Sequence, residues 1–246
     1  MRNDRTVYAI IPALNEAEAI AAIVNDLHGL RDDDGHPLIH RVIVADNGST
    51  DGTGQLALAA GATVVQELRR GYGYACMAGI AVAGNADVLL FVDGDNSVII
   101  QETSSLLAAI DHGADLAIGS RINIEPGSMT FPQRFGNGLA CFITRLLWHV
   151  PISDLGPFRA IRRTSLYHLD MKDMTYGWTI EMQIKAFQCG QHVTEVPVSI
   201  RCRIGRSKVS GTVRGVIGAG IGIFSMIAKL WWRERRRVPH HRARRV

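Results

Sequence analysis

Over the first half of the chain, short apolar runs alternate with segments in which apolar residues recur every three or four positions. Residues 7–11, 42–45, 63–66, 88–92 and 116–119 read as strands. Between the first two, Ile20, Ile23, Val24 and Leu27 mark one face of a helix, with Asn15 and Glu18 expected to cap its start and Gly29 to stop it. Further helices are expected over 53–61, 74–83 and 102–111. Strands that are apolar on both faces and separated by helices predict an α/β fold, a mostly parallel sheet flanked by helices. Ligands of such sheets bind beyond the carboxyl ends of the strands. Past Gly119 a Gly/Pro-containing loop over 120–132 leads to a helix over 133–150. A strand over 158–161, a helix over 178–189 and a strand over 193–200 follow. The expected division is one domain over 1–212 and a helix with a basic tail over 213–246.

Three of the first four strands end in polar turns: Pro12-Ala13-Leu14-Asn15-Glu16, Asp46-Asn47-Gly48-Ser49-Thr50-Asp51-Gly52 and Asp93-Gly94-Asp95-Asn96. Each alone has a plain explanation as a cap or an Asx-type turn. Together they place several acids on one sheet edge, and crowded carboxylates repel unless a cation or donors compensate. A DxD turn suits a hard cation with oxygen ligands, such as Mg²⁺ or Mn²⁺, which can neutralise a departing diphosphate. Asp46 could then accept hydrogen bonds from a base or ribose. Arg69-Arg70-Gly71-Tyr72-Gly73-Tyr74 fails as a dinucleotide fingerprint, because Cys76 holds the third glycine position. It reads instead as a loop and helix start facing phosphates, with Arg70 as the cation, or as a charged surface turn.

These motifs resemble the signature of family 2 glycosyltransferases with the Rossmann-like GT-A fold. Gly119-Ser120-Arg121, Asp154-Leu155-Gly156-Pro157-Phe158-Arg159, Gly177-Trp178-Thr179-Ile180-Glu181 and Arg203-Ile204-Gly205-Arg206-Ser207-Lys208 narrow the resemblance to the dolichyl- and polyprenyl-phosphate mannosyl- and glucosyltransferases. The resemblance implies that Pro12, Leu14, Glu16 and Asp46 line a nucleotide pocket, and that Asp93 and Asp95 hold the metal and donor diphosphate. Arg203, Ser207 and Lys208 would meet phosphate groups, and Glu181 would be an active-site carboxylate rather than a surface partner of Lys185. Asp154 is a site residue: a hydroxyl acceptor needs a base, whereas a lipid phosphate is already anionic and needs only alignment. Gly156-Pro157-Phe158-Arg159 departs from the relatives' usual Gly-Phe-Arg, and Trp178 stands where related chains carry another residue. The implied reaction is inverting transfer from a UDP- or GDP-sugar to a lipid-linked acceptor, polyprenyl phosphate before a hydroxyl.

Composition adds three points. The 47% apolar and 20% charged content is that of a globular chain. Cys76, Cys141, Cys189 and Cys202 show neither disulfide nor zinc spacing, and no exporting segment is visible, so a cytoplasmic setting is expected. The net charge of +4 divides into a body of about −2 and a tail of +6 from Arg233 onward. Between Arg214 and Lys229 only 14 residues lack charge, short of the ~20 that a span needs. With Trp231, Trp232 and the arginines beyond them, this segment reads as an interfacial helix on an anionic membrane surface at the inner face. The alternative is a core helix packed through Gly218 and Gly222. Nucleic acid is not an expected partner, since no aromatic-studded basic groove accompanies the tail. A sugar nucleotidyltransferase would open with a glycine-rich loop, which Ile11–Glu16 lacks, and an inactive membrane adaptor is the remaining rival.

Overall fold

The structure, a computed structural model, describes residues 5–205 and 213–237, with the side chains of 213, 214 and 237 excepted. Seven strands form one sheet: β1 (Val7–Ala13), β2 (Arg41–Asp46), β3 (Thr63–Gln66), β4 (Val88–Phe91), β5 (Leu116–Ile124), β6 (Arg159–Arg162) and β7 (Val193–Ile200). Their order is β3-β2-β1-β4-β6-β5-β7, and only β6 runs antiparallel to its neighbours. The central strands are buried on both faces, as Ile10, Ile11, Ile43, Val44, Leu89 and Leu90 illustrate.

On one face pack α1 (Ile20–Gly29), α2 (Thr53–Ala59) and α4 (Thr103–Asp111), whose Ile20, Ile23, Val24, Leu27, Leu106 and Ile110 join the strands' apolar cluster. On the other lie α3 (Tyr72–Val82), α6 (Arg163–Leu169) and α7 (Trp178–Gln188). Trp178 is fully buried there, edge-on to Phe91 at 6.4 Å. A third cluster joins α7, α5 (Phe131–Trp148) and α8 (Val213–Arg237). The expected mostly parallel, helix-flanked sheet is what forms.

Several boundaries differ for physical reasons. Asn15 does not cap α1, which begins at Ile20. It sits at φ 53°, a left-handed conformation that its short polar side chain tolerates, and its Oδ1 accepts the Thr50 N–H at 2.8 Å. It therefore ties the turn after β1 to the turn after β2. Strand β5 runs five residues past Gly119 because β7 pairs with it as far as Ile124, across an irregularity between Arg121 and Asn123. Helix α5 begins at Phe131, since Thr130 and Gln133 form a reciprocal cap ahead of it. The short α6 had no periodic signal.

Helix α8 is longer than expected and packs against the body of the protein. Gly215–Arg236 is long and apolar enough to cross a membrane by length and composition, beyond the 14-residue stretch the charges suggested. Yet Met226, Ile227 and Leu230 are buried against α5 and α7. At Gly222 an added Cβ would lie 3.0 Å from Tyr176 Cβ, so the close packing anticipated for this glycine is real. The opposite side, with Ile217, Ile221 and Trp232, is exposed.

Candidate active site

Because β1 to β4 are parallel, their carboxyl ends and the three polar turns share one edge. A cavity of about 310 Å³ opens there. Pro12, Ala13, Leu14 and Glu16 form the wall after β1, and Asp93, Gly94 and Asp95 the wall after β4. Asn47 contributes from the end of β2, Arg70, Gly71 and Tyr72 from the start of α3, and Thr175 and Tyr176 from the loop before α7. Arg203 enters from beyond β7.

Acids dominate the floor. Burial first, and then the neighbouring Asp95 carboxylate, push Asp93 up to about 7, while the Tyr72 hydroxyl, donating to Asp93 Oδ1 at 3.0 Å, pulls it back. Asp95 Oδ1 accepts the Ser97 N–H at 3.0 Å, which fixes the turn. Arg203 spans the remaining charges, with one nitrogen 3.1 Å from Glu16 Oε1 and another 3.2 Å from Asp95 Oδ2. Its Nε is buried without a hydrogen-bond partner among the described residues. The site thus presents crowded oxygen ligands, a guanidinium laid across them, and an unspent buried donor.

The structure sorts the remaining expected residues. Arg70 lines the cavity and donates to the Asn47 carbonyl at 3.0 Å. Asp46 does not line it: the side chain is buried under its own turn, accepting the Ser49 N–H at 2.8 Å, and Asn47 takes the place on the wall. The Asn47 amide in turn donates to the carbonyls of Glu67 and Arg69 and accepts from Gly71, so it shapes the loop that carries Arg70. Glu181 is also away from the cavity. It is 1% exposed, accepts the N–H groups of Lys172 and Asp173, and pairs with Lys185 at 2.8 Å. The ion pair exists, but inside the protein rather than on its surface, because α7 packs its first turn beneath the 172–175 loop. Ser207 and Lys208 lie outside the described residues.

Asp154 faces a different environment. It is 4% exposed, and its carboxylate accepts the Arg121 backbone N–H at 2.8 Å and Nε at 2.7 Å, with the other oxygen on the same guanidinium. Burial works against the Arg121 charge, but the Asp154 carboxylate overcomes it and raises the guanidinium's pKa. Arg121 borders a second cavity of about 300 Å³ that shares Tyr72 and Tyr176 with the first. Its walls are largely apolar, with Leu155, Val216, Ala219, Ile223 and Phe224 among them, and it runs between α5 and α8. Sequence reasoning missed Tyr72, Asn47, Thr175 and Tyr176. A tyrosine bracketed by Gly71 and Gly73 at a helix start was a usable signal, whereas Thr175 and Tyr176 gave none. Asp32, Asp34 and His36 also cluster, but in an exposed loop closed by its own hydrogen bonds.

A mixed sheet of this order, with a DxD turn at the edge where its parallel strands end, defines the GT-A class of sugar-transferring enzymes. The chain belongs to glycosyl transferase family 2, whose family model matches residues 8–169. It is 33% identical over 223 residues to an uncharacterised glycosyltransferase of Mycobacterium tuberculosis, covering 90% of this chain and 98% of that one. It is 34% identical over 228 residues to the polyprenol monophosphomannose synthase of Mycolicibacterium smegmatis, covering 86% and 84%. A dolichyl-phosphate hexose transferase of Haloferax volcanii is 27% identical over 230 residues, covering 93% and 95%. Among solved structures, glucosyl-3-phosphoglycerate synthase from Mycobacterium tuberculosis, crystallised with Mn²⁺, UDP-glucose and glycerol 3-phosphate, superposes with a TM-score of 0.75. At 22% identity, over 92% of this chain and 80% of that one, it shows the shared fold.

Proposed function

We propose that this chain moves a sugar from a UDP- or GDP-linked donor to a lipid-linked acceptor, most simply polyprenyl phosphate, at the inner face of a membrane. The observation that carries the reading is the junction of two cavities. One is lined by Asp93, Asp95 and Arg203, the other is apolar, and Tyr72 and Tyr176 stand between them. A polar donor fits the first and a hydrocarbon-bearing acceptor the second. The relatives named for polyprenol- and dolichyl-phosphate chemistry support this direction.

The residues present fit a hard divalent cation. The donor set is all oxygen, and burial, followed by the Asp95 charge beside it, holds the Asp93 proton to about 7. Mg²⁺ or Mn²⁺ held by Asp93 and Asp95 would supply positive charge to the diphosphate as it leaves. Pro12, Leu14 and Glu16 border the space for the nucleoside, and Arg70 stands at the helix start where phosphates are favoured. Arg203 can turn its unspent donor to a phosphate oxygen.

The acceptor oxygen forms its bond to the anomeric carbon as the bond to the diphosphate breaks, and the electron pair leaves with the nucleoside diphosphate. A single displacement inverts the centre. Asp154 is committed to Arg121 by three hydrogen bonds and is poorly placed to take a proton. That favours an acceptor that is already anionic, with Arg121 facing it from the wall of the second cavity. The test is to incubate purified protein with UDP- and GDP-sugars, Mg²⁺ or Mn²⁺, and either polyprenyl phosphate or the matching polyprenol. Metal-dependent product with the phosphate and none with the alcohol is expected, and D93N and D95N should abolish it. Equal turnover with chelator present would overturn the reading.

A further inference from the structure

The outer face of α5 carries five large apolar side chains that nothing among the described residues covers. Phe131 is 79% exposed, Phe135 61%, Phe142 55% and Leu146 61%, with Leu139 beside them. At about 100° per residue these five fall within roughly a quarter of the helix circumference. Ala140, Cys141 and Thr144, on the opposite side, are buried. Phe131 and Phe135 stack at 6.2 Å, so the stripe is continuous. Five such residues in succession exceed what scattered surface apolar residues explain. The neighbouring α8 shares a buried cluster with α5 and likewise leaves Ile217, Ile221 and Trp232 in water.

We infer that α5, together with the exposed side of α8, is a docking face for an anionic lipid bilayer, with the α5 phenylalanines seated among the acyl chains. Charge selects the bilayer over a second copy of this chain. Arg134 and Arg145 are exposed, and helical spacing sets both along one border of the stripe. Arg235 and Arg236 lie over the rings of Trp231 and Trp232 at 4.1 and 5.0 Å, a pairing of cation and aromatic ring suited to a headgroup layer. Among the described residues none of these arginines has a carboxylate within ion-pair distance. The one acid of the segment, Glu234, accepts instead from Trp148 Nε1 at 2.5 Å and from Gln188 Nε2 at 3.0 Å. Two copies would bring like charges together, whereas phosphatidylglycerol headgroups would neutralise them. The apolar cavity runs between these same two helices, so docking would present it to the hydrocarbon layer. The inference extends the lipid-acceptor reading but does not depend on turnover.

The test is sedimentation of the full chain with phosphatidylcholine vesicles, with and without roughly 30% phosphatidylglycerol, comparing wild type with F135Q/F142Q. Neither phenylalanine lines either of the two cavities, so the melting temperature and any turnover on a short-chain, water-soluble polyprenyl phosphate should be unchanged. Partitioning onto the anionic vesicles should fall at least about tenfold. Undiminished vesicle binding by the variant would overturn the proposal even if α8 alone held the protein to lipid. So would a wild-type dimer in lipid-free buffer that F135Q/F142Q converts to monomer. Because vesicle binding is read without substrate, an inactive wild-type preparation would count against the proposed function and leave this result standing.

Discussion

Glu181 provides the sharpest separation between a catalytic carboxylate and one that holds a wall in place. Its side chain is 1% exposed and receives the Lys172 and Asp173 N–H groups, at 3.0 and 2.7 Å, and the Lys185 ammonium at 2.8 Å. The loop it grips continues into Thr175 and Tyr176, which line the first cavity. Glu181→Ala leaves two backbone donors unsatisfied and a largely buried ammonium, 14% exposed, without its carboxylate and held only by the Asp170 carbonyl among the described residues. Removing one partner of a buried pair costs about 3–5 kcal/mol, and in a chain of this size that lowers Tm by roughly 6–20 °C. Glu181→Gln keeps an acceptor oxygen and loses only the charge, so about 1–2 kcal/mol is expected. Calorimetry and steady-state kinetics on both variants decide the matter. A positioning role predicts that Glu181→Gln raises the donor KM while kcat stays within about tenfold. A catalytic role predicts an unchanged Tm and a kcat lowered by about 10²–10⁴. The second outcome, or a Glu181→Ala chain as stable as wild type, would refute the assignment.

Two further predictions concern the other acids. Asp93 is held above its ordinary 3.8, at about 7, so the folded state binds this proton more tightly than the unfolded chain. Metal-free protein therefore loses stability as pH rises from 4 through 7, at about 1.4 kcal/mol per pH unit and on the order of 4 kcal/mol in all. In chelator, Asp93→Asn should be more stable than wild type at pH 8 and equal to it near pH 4, as read by urea unfolding, although it does not turn over. Asp154→Asn leaves the Arg121 guanidinium buried with a neutral partner, at a cost of about 3 kcal/mol. Its kcat should fall without loss of the acid limb of the pH profile, whereas disappearance of that limb would identify Asp154 as a base.

The sequence revealed most where periodicity and a turn motif reinforced each other. Ile20, Ile23, Val24 and Leu27 announce a helix with one buried face, and all four are 0% exposed. Pro12, Leu14, Glu16, Asp93 and Asp95 stand at strand ends, so the parallel topology alone brings them to one edge. What a linear reading cannot supply is side-chain direction. Asp46 and Asn47 are adjacent in one turn, but only Asn47 reaches the cavity, because consecutive residues at a strand end point opposite ways. Thr175 and Tyr176 were illegible because their place depends on contacts with Glu181 and with the start of α3, where the Tyr74 N–H bonds to the Met174 carbonyl at 3.2 Å. The Asp154–Arg121 pair joins residues 33 positions apart, and although the strand over 158–161 was legible, its antiparallel seating between β4 and β5 was not. The apolar stripe on α5 is visible as spacing, yet spacing does not say which side of a helix the fold leaves open.

Arg203 shows how one residue can serve the site in two states. It arrives from beyond β7 to contact Glu16, 187 positions earlier in the chain, and so closes a cavity that β1 and β4 open. Glu16, Asp93 and Asp95 crowd negative charge into a partly buried space, and such a cluster destabilises the fold unless a cation sits on it. Arg203 provides that cation from within the chain. Were Asp93 and Asp95 to hold a divalent ion, as proposed, they would do so with Asp95 Oδ2, the same oxygen that stands 3.2 Å from the guanidinium, so the ion's charge would take over part of the role that Arg203 fills here. The Arg203 fork, whose Nε lacks a hydrogen-bond partner among the described residues, would then suit a phosphate anion such as that of the proposed donor. Lysine at this position would keep the charge but lose the planar fork that meets Glu16 and Asp95 through two separate nitrogens.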